Sequence, residues 1–238
     1  MCKIKFSIIT VTYNAEKTLE DTIKSVLSQK NVLIEYIIVD GKSTDSTIDI
    51  IKKYNNIIYV SERDSGIYDA MNKGLKIATG NFVLFMGADD IFYSSDVLEK
   101  VEQKIKKYDV VYYGNVLWKG TNHIHWGKFN KLKWAWSNIS HQAIFYPQIV
   151  YKNYKYNLDY KIYSDNAYNL TLLKNSVKFE YLDLLITLYN MDGISSHVKD
   201  LNFERDRGKM VYQALGFFPT LLFFIHQLLI RFKNILHD

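Results

Sequence analysis

The sequence predicts an α/β fold: a mainly parallel sheet flanked by helices, followed by a C-terminal amphipathic helical tail. Three observations predict it. Short β-branched apolar runs alternate with helix-spaced segments over residues 1–115. Four successive runs end on polar or acidic residues, at the edge where parallel sheets bind ligands. From Pro219 onward, apolar residues recur on one helical stripe.

The elements follow in order. Phe6–Thr12 (FSIITVT) reads as a buried first strand, too short for the apolar region of a signal peptide. Leu19, Ile23, Val26 and Leu27 give helix spacing within 16–29. Glu35–Val39 is a second strand, stopped by Asp40-Gly41, and 43–54 reads as a helix with Ile48, Ile51 and Tyr54 on one side. Ile57–Val60 is a third strand. A helix over 67–78 ends at Thr79-Gly80. Phe82–Met86 is a fourth strand, running into Gly87-Ala88-Asp89-Asp90; a helix over 96–107 and a strand over 110–113 complete the first half. The second half is less regular, with a strand-like 181–189. In the tail, residues 211–230 carry no formal charge, but Gln213, Pro219, His226 and Gln227 interrupt them. Leu221, Leu222, Ile225, Leu228, Leu229, Phe232, Ile235 and Leu236 trace the stripe, with Thr220, Gln227, Arg231 and Asn234 opposite. Such a helix can lie in a membrane interface, pair with a second subunit or pack on its own domain.

Composition narrows the class. The 238 residues are 48% hydrophobic and 23% charged, which excludes a disordered chain and a polytopic membrane protein. The single Cys2 excludes an internal disulfide and a cysteine-built zinc site, and a reducing, cytoplasmic compartment is expected. The net charge of +5 is unevenly placed. No Asp or Glu occurs from Val110 to Leu158, a window with six lysines and all 4 tryptophans. Such a window suits phosphate-bearing partners or a membrane surface. No nucleic acid is expected, because RNA-binding signatures are lacking.

Four stretches carry a family pattern: FSIITVTYN at 6–14, YIIVDGKSTDS at 36–46, SERDSGIYDAMNKG at 61–74 and FMGADD at 85–90. With them, the sequence resembles the family 2 glycosyltransferases, inverting enzymes of the GT-A (Rossmann-like) fold. SHQAIF at 140–145, YSDNAYNL at 163–170 and DGIS at 192–195 extend the likeness more loosely. The resemblance implies a nucleotide-sugar-binding half at 1–115, an acceptor-binding and catalytic half of the same domain at 116–208, and the helical tail at 209–238. It implies transfer of a sugar from a nucleotide-diphospho-sugar, UDP favoured, to a glycan or polyprenyl-linked acceptor in surface-polysaccharide synthesis.

Residue by residue, Asp40 matches the family's acid that accepts hydrogen bonds from the base, and otherwise is a turn Asp. The resemblance implies that Thr12, Tyr13, Asn14 and Ser43 line the same pocket, with Asp64, Asp69, Asn72, Lys73 and Ala88 near the donor; Ser43 and Asp45 otherwise mark only a helix start. Asp69 and Asn72 share a helix face. Asp89 and Asp90 fall at the family's metal motif, where Mn2+ or Mg2+ takes oxygen ligands and bridges to diphosphate. Gly87 stands where many members carry the first acid, so the duty falls on Asp89. His197 is a further metal candidate. Asp165 occupies the place of the general base, with Asp159 in reserve. His141, Gln142, Trp134 and Trp136 are acceptor candidates, the rings because sugars stack on them. The alternative is a non-enzymatic scaffold that binds a sugar nucleotide or glycan. A nucleotidyltransferase would want a Gly-rich basic loop after the first strand, and Thr12-Tyr13-Asn14-Ala15 is not one. A peripheral position on the inner face of the cell membrane and a homodimer are both open to the tail.

Overall fold

The computed structural model describes residues 3–125, 127–190 and 200–235, with side chains as far as Ile230. The first half follows the predicted alternation: β1 (Lys5–Thr12), α1 (Leu19–Leu27), β2 (Leu33–Asp40), α2 (Thr47–Ile51), β3 (Ile57–Ser61), α3 (Ile67–Ile77), β4 (Phe82–Gly87), β5 (Ile91–Phe92), α4 (Val97–Lys104) and β6 (Val110–Trp118). Then come β7 (Ile124–His125), α5 (Lys131–Trp136), a 3-10 turn at His141–Ala143, β8 (Ile144–Pro147), α6 (Gln148–Tyr151), α7 (Ser164–Lys174), β9 (Lys178–Tyr189), α8 (Leu201–Leu215) and α9 (Phe217–Ile235).

One sheet runs through both halves in the order β3-β2-β1-β4-β8-β6-β9-β5, with β7 paired to β6. β3, β2, β1 and β4 are parallel. The strand at 110 does not extend that set directly, as the alternation alone suggests. β8 enters between β4 and β6 and is antiparallel to both. The central strands are buried on both faces, which explains their near-continuous apolar runs. Phe6, Ile8, Leu84 and Phe145 fill one side, and Ile9, Val39, Phe85 and Ile144 fill the other.

Two local expectations change. The helix expected over 43–54 shrinks to Thr47–Ile51. Asp40 accepts from the Lys42 and Ser43 amides, and Asp45 accepts from Thr47 N and Oγ1. These side chains offer the backbone a turn in competition with the helix. The tail is two helices, broken at Gly216 with φ +86°. Of its apolar stripe, Leu221, Ile225, Leu228 and Leu229 are exposed and Leu222 is half-buried, while Thr220 and Phe223 are buried against the body. Pro219, Thr220, Phe223 and Phe224 do the packing.

Below the sheet, Glu35 on β2 is nearly buried and is ringed by donors. Lys5 Nζ lies at 2.8 Å, Ser7 Oγ at 2.6 Å, Thr79 N at 2.8 Å and Thr79 Oγ1 at 2.5 Å. Burial works to raise its pKa, but the donors outweigh it and hold the carboxyl at about 2. A depressed carboxylate contributes stability above its unfolded value and loses it as pH falls through the folded value. Glu35→Gln should therefore lower the melting temperature at pH 7. In melts across pH, its gap to the wild type should close between about 4.5 and about 2.

Candidate active site

The site forms at the carboxyl ends of β1, β2 and β4, where parallel strands leave their last amides and side chains facing a common crevice. Two loops build its floor. Asn14 takes a left-handed φ of 49°, so that its Oδ1 accepts from Thr44 N at 2.8 Å while its own amide donates to Ser43 Oγ at 2.8 Å. Ala15 N donates to Thr47 Oγ1 at 2.8 Å. These bonds stitch the 13–15 and 43–47 loops together. Tyr13 is left 64% exposed, an aromatic face standing at the end of β1. Asp64 and the Tyr13 ring close on Gly41: a Cβ there would lie 2.7 Å from Asp64 Oδ2 and 3.5 Å from the ring. Thr12 is buried, and its hydroxyl is without a partner.

Asp40 differs from the expectation of a carboxylate free to meet a base. It is 0% exposed. Its oxygens accept from Lys42 N and Ser43 N, from Ser43 Oγ, and from Ser61 Oγ at 2.6 Å. It is the buried post on which the 41–43 turn hangs, and it holds the Ser43 hydroxyl that also accepts from Asn14 N. Asn72 is likewise buried. Its Nδ2 donates to Tyr156 O and its Oδ1 accepts from Tyr156 N, both at 2.9 Å, so it fastens α3 to the 156 segment. Asp69 accepts from Ser65 N at 3.0 Å, and Lys73 reaches Glu62 at 3.0 Å and Arg63 O at 2.7 Å. This pair holds the 62–66 loop against α3. Lys73 is raised: burial works against its charge, but Glu62 and Asp69 overcome it.

After β4 the two acids part company. Asp89 is half-buried, beside Ala88, with Oδ2 accepting from Asn190 Nδ2 at 3.1 Å. Asp90 turns inward and is 1% exposed. Its oxygens accept from Gly87 N and Asn190 N, both at 3.1 Å. Burial, then the charge of Asp89, push its pKa up. Asp90 is thus an anchor joining the β4 loop to the end of β9, and only Asp89 faces the crevice. Gly87 explains itself here, since a Cβ would meet Asp90 Oδ2 at 2.5 Å and Asp89 Oδ1 at 3.0 Å. No group of three His, Cys, Asp or Glu side chains suited to a metal occurs among the described residues. The oxygen chemistry of Asp89 fits a hard cation only if an anionic ligand completes the shell. His197 and Asp192–Ser195 lie outside the described residues.

Asp165 sits in the first turn of α7, where the helix dipole favours a negative charge. Tyr68 Oη stands 3.2 Å from its Oδ1 and donates to Ile162 O at 2.6 Å. Burial, then the Asp165 charge, hold the Tyr68 phenol protonated. His141 Nδ1 stands 3.6 Å from Asp165 Oδ2. The neighbouring Gln142 is buried and works to lower the Asp90 pKa. The turn at 141–143 thus links the two acids expected to do chemistry. Asp159 is exposed, and its backbone amide caps a local turn at Asn157.

The acceptor expectation for the tryptophans is overturned at Trp134. It is 5% exposed and packs on Phe129 and Phe179, with ring centroids at 4.7 Å and 5.0 Å. Trp136 is exposed but lies against His226 of α9, at 5.9 Å. Trp126 is outside the described residues. Sequence reasoning missed Tyr68 and Asn190. Tyr68 lay within the family-like stretch 61–74, and Asn190 was the polar end of a strand, the same signal that marked the other four.

The sequence profile of Glycosyl transferase family 2 matches residues 7–176. The chain belongs to that family. A PGL/p-HBAD biosynthesis glycosyltransferase of Mycobacterium bovis is 34% identical over 209 residues, covering 83% of this chain and 82% of the relative. The Escherichia coli UDP-Glc:alpha-D-GlcNAc-diphosphoundecaprenol beta-1,3-glucosyltransferase WfaP is 36% identical over 98 residues, 40% of this chain and 39% of its own. Among solved structures, S. aureus TarS superposes with TM-score 0.72 at 20% identity, over 89% of this chain, which spans 40% of TarS. Its 1–349 form in complex with UDP-GlcNAc gives 0.71 at 21%, over 89% of this chain and 67% of that one. The mannosyltransferase PcManGT of Pyrobaculum calidifontis, in complex with GDP-Man and Mn2+, gives 0.65 at 17%, over 89% and 63%. This chain is a family 2 glycosyltransferase with the GT-A fold.

The close approach at Gly87 makes a prediction. Gly87→Ala should displace Asp89 and Asp90 together, lowering the melting temperature by several degrees and weakening ligand binding at the β4 edge. Calorimetry and ligand-induced thermal shift check both.

Proposed function

We propose that this glycosyltransferase moves a sugar, with inversion, from a nucleotide-diphospho-sugar to a hydroxyl of a glycan or lipid-linked glycan. A UDP-sugar is the favoured donor, in keeping with the UDP-GlcNAc bound to TarS and the UDP-Glc in the name of WfaP. One observation carries the reading. The exposed Tyr13 ring, the half-buried Asp89 and the base candidate Asp165 line one edge of the sheet. Asp165 and Asp90 are joined through His141 and Gln142. Residues 1–115 supply the donor side, and 116–208 supply the base.

Tyr13 stacks on the base, and Ser43 and Asp64 face the nucleoside. Asp89 would hold Mn2+ or Mg2+, which when bound offsets the negative charge of the diphosphate. Asp165 accepts the proton of the acceptor hydroxyl as that oxygen bonds to the anomeric carbon. The bond from that carbon to the diphosphate oxygen breaks on the opposite face, and the nucleoside diphosphate leaves with the electron pair. One in-line displacement inverts the centre and leaves the proton on Asp165. Tyr68 and His141 hold the carboxylate in place. PcManGT, bound to Mn2+, supports the metal assignment, and the diphosphoundecaprenol acceptor in the name of WfaP supports a lipid-linked one.

A donor panel tests this. UDP-, GDP- and dTDP-sugars with Mn2+ or Mg2+ are scored by thermal shift and nucleotide release. One UDP-sugar should stabilise the protein, and Asp89→Ala should abolish that stabilisation. Asp165→Asn should keep donor binding and lose turnover by about 10²–10⁴. A folded protein that binds no donor would instead support the scaffold reading. Loss of donor binding in Asp165→Asn would remove that residue from the base role.

A further inference from the structure

The 19 residues of α9 meet the body along one line of mixed polar and apolar residues. Thr220 and Phe223 are buried, and Gln227 is half-buried. Outward stand Phe217, Phe218, Leu221, Ile225, Leu228 and Leu229, with exposures of 42–70%. The helix is not loosely attached in this orientation. Phe224 lies so close to α8 that a Cβ on Gly208 would be 2.6 Å from its Cζ. The Arg207 guanidinium stacks over Phe223 at 5.0 Å, and His226 meets Trp136 of α5 at 5.9 Å. The packing therefore fixes an apolar, partly aromatic face toward the outside, of the kind that marks an interaction surface.

Charge selects the occupant. Between residues 207 and 237 there is no Asp or Glu, while Lys209 of α8 is exposed. α5, which lies alongside, belongs to the acid-free window and carries exposed Lys131, with exposed Lys128 just before it. Acids stand at the start of α8: Asp206 pairs with Arg205 and Tyr160, and Glu204, in the first turn, supports the charge of Arg207. A second copy seated on this face would bring like charges of the α5 end together. An anionic bilayer surface answers both the apolar face and the cationic surround. At 1.5 Å per residue the helix is about 28 Å long. No described helix is long and apolar enough to cross a membrane, so α9 suits lying in the interface plane.

We propose that α9, with the adjoining end of α5, docks this protein on an anionic lipid surface. Lipid binding needs neither donor nor metal, so it stands or falls separately from the sugar-transfer reading. The test is flotation of the full chain with phosphatidylcholine vesicles and with vesicles containing 30% phosphatidylglycerol. Binding should be at least tenfold stronger to the anionic vesicles and should weaken in 0.5 M NaCl. Ile225→Asp combined with Leu229→Asp should lower it at least tenfold while leaving the melting temperature and donor-induced thermal shift in place. If that variant fails to fold, the milder Ile225→Ser with Leu229→Ser serves, alongside the wild-type comparison of the two vesicle types. Indifference to phosphatidylglycerol, or unchanged binding in the folded variants, would overturn the proposal. So would a wild-type dimer, measured by light scattering, that the substitutions convert to monomer without any vesicle binding.

Discussion

Asp40 and Asp90 are carboxylates with almost no exposure, and the shape of the crevice depends on how they are satisfied. An ionised carboxylate taken from water costs several kcal/mol unless donors surround it. The chain meets this with strand-end loops folded back on the acids: Lys42, Ser43 and Ser61 around Asp40, and Gly87, Asn190 and Gln142 around Asp90. A hydrogen bond to a charged group contributes about 1.5–3 kcal/mol, so these small shells are strong enough to set the loop conformations. The turn at 41–43 holds Ser43 against Asp40, and the turn at 87–90 presents Asp89. The groups offered to a ligand are the ones the buried acids leave over.

The same requirement ties the distant second half to the first. Asn190 comes 100 residues after Asp90, yet its amide and side chain serve both acids of the β4 loop. Gln142 reaches Asp90 from the turn that also sets His141 beside Asp165. Insertion of β8 between β4 and β6 makes this possible, because it brings the 141–143 turn to the edge where β4 ends. A purely parallel extension of the first sheet would not deliver that turn.

Much of this was legible in the sequence. β-branched runs and helix spacing located β1 to β4 and α3 within a residue or two, since buried parallel strands have few other ways to read. The polar strand ends located the crevice. Other features lay beyond local pattern. Asp40, Asn72 and Asp90 look like surface acids or amides in sequence, but Ser61, Tyr156 and Asn190 reach them from far along the chain. Trp134 looked like a sugar platform because ring chemistry says nothing about which face it meets, and Phe129 and Phe179 enclose it. The tail's helical period was clear. Its rotation was not, because a period cannot tell which side the rest of the chain will use.

The central claim is that buried Asp40 and Asp90 shape the pocket while Tyr13 and Asp89 meet the ligand. The most direct measurement is a crystal structure of the protein with UDP and Mn2+. The account predicts the uracil ring on Tyr13 and the metal on Asp89, with Asp40 still bound to Ser43 and Ser61 and Asp90 still bound to Gly87 and Asn190. A structure in which Asp40 leaves its loop to meet the base, or Asp90 turns outward to ligate the metal, would contradict it.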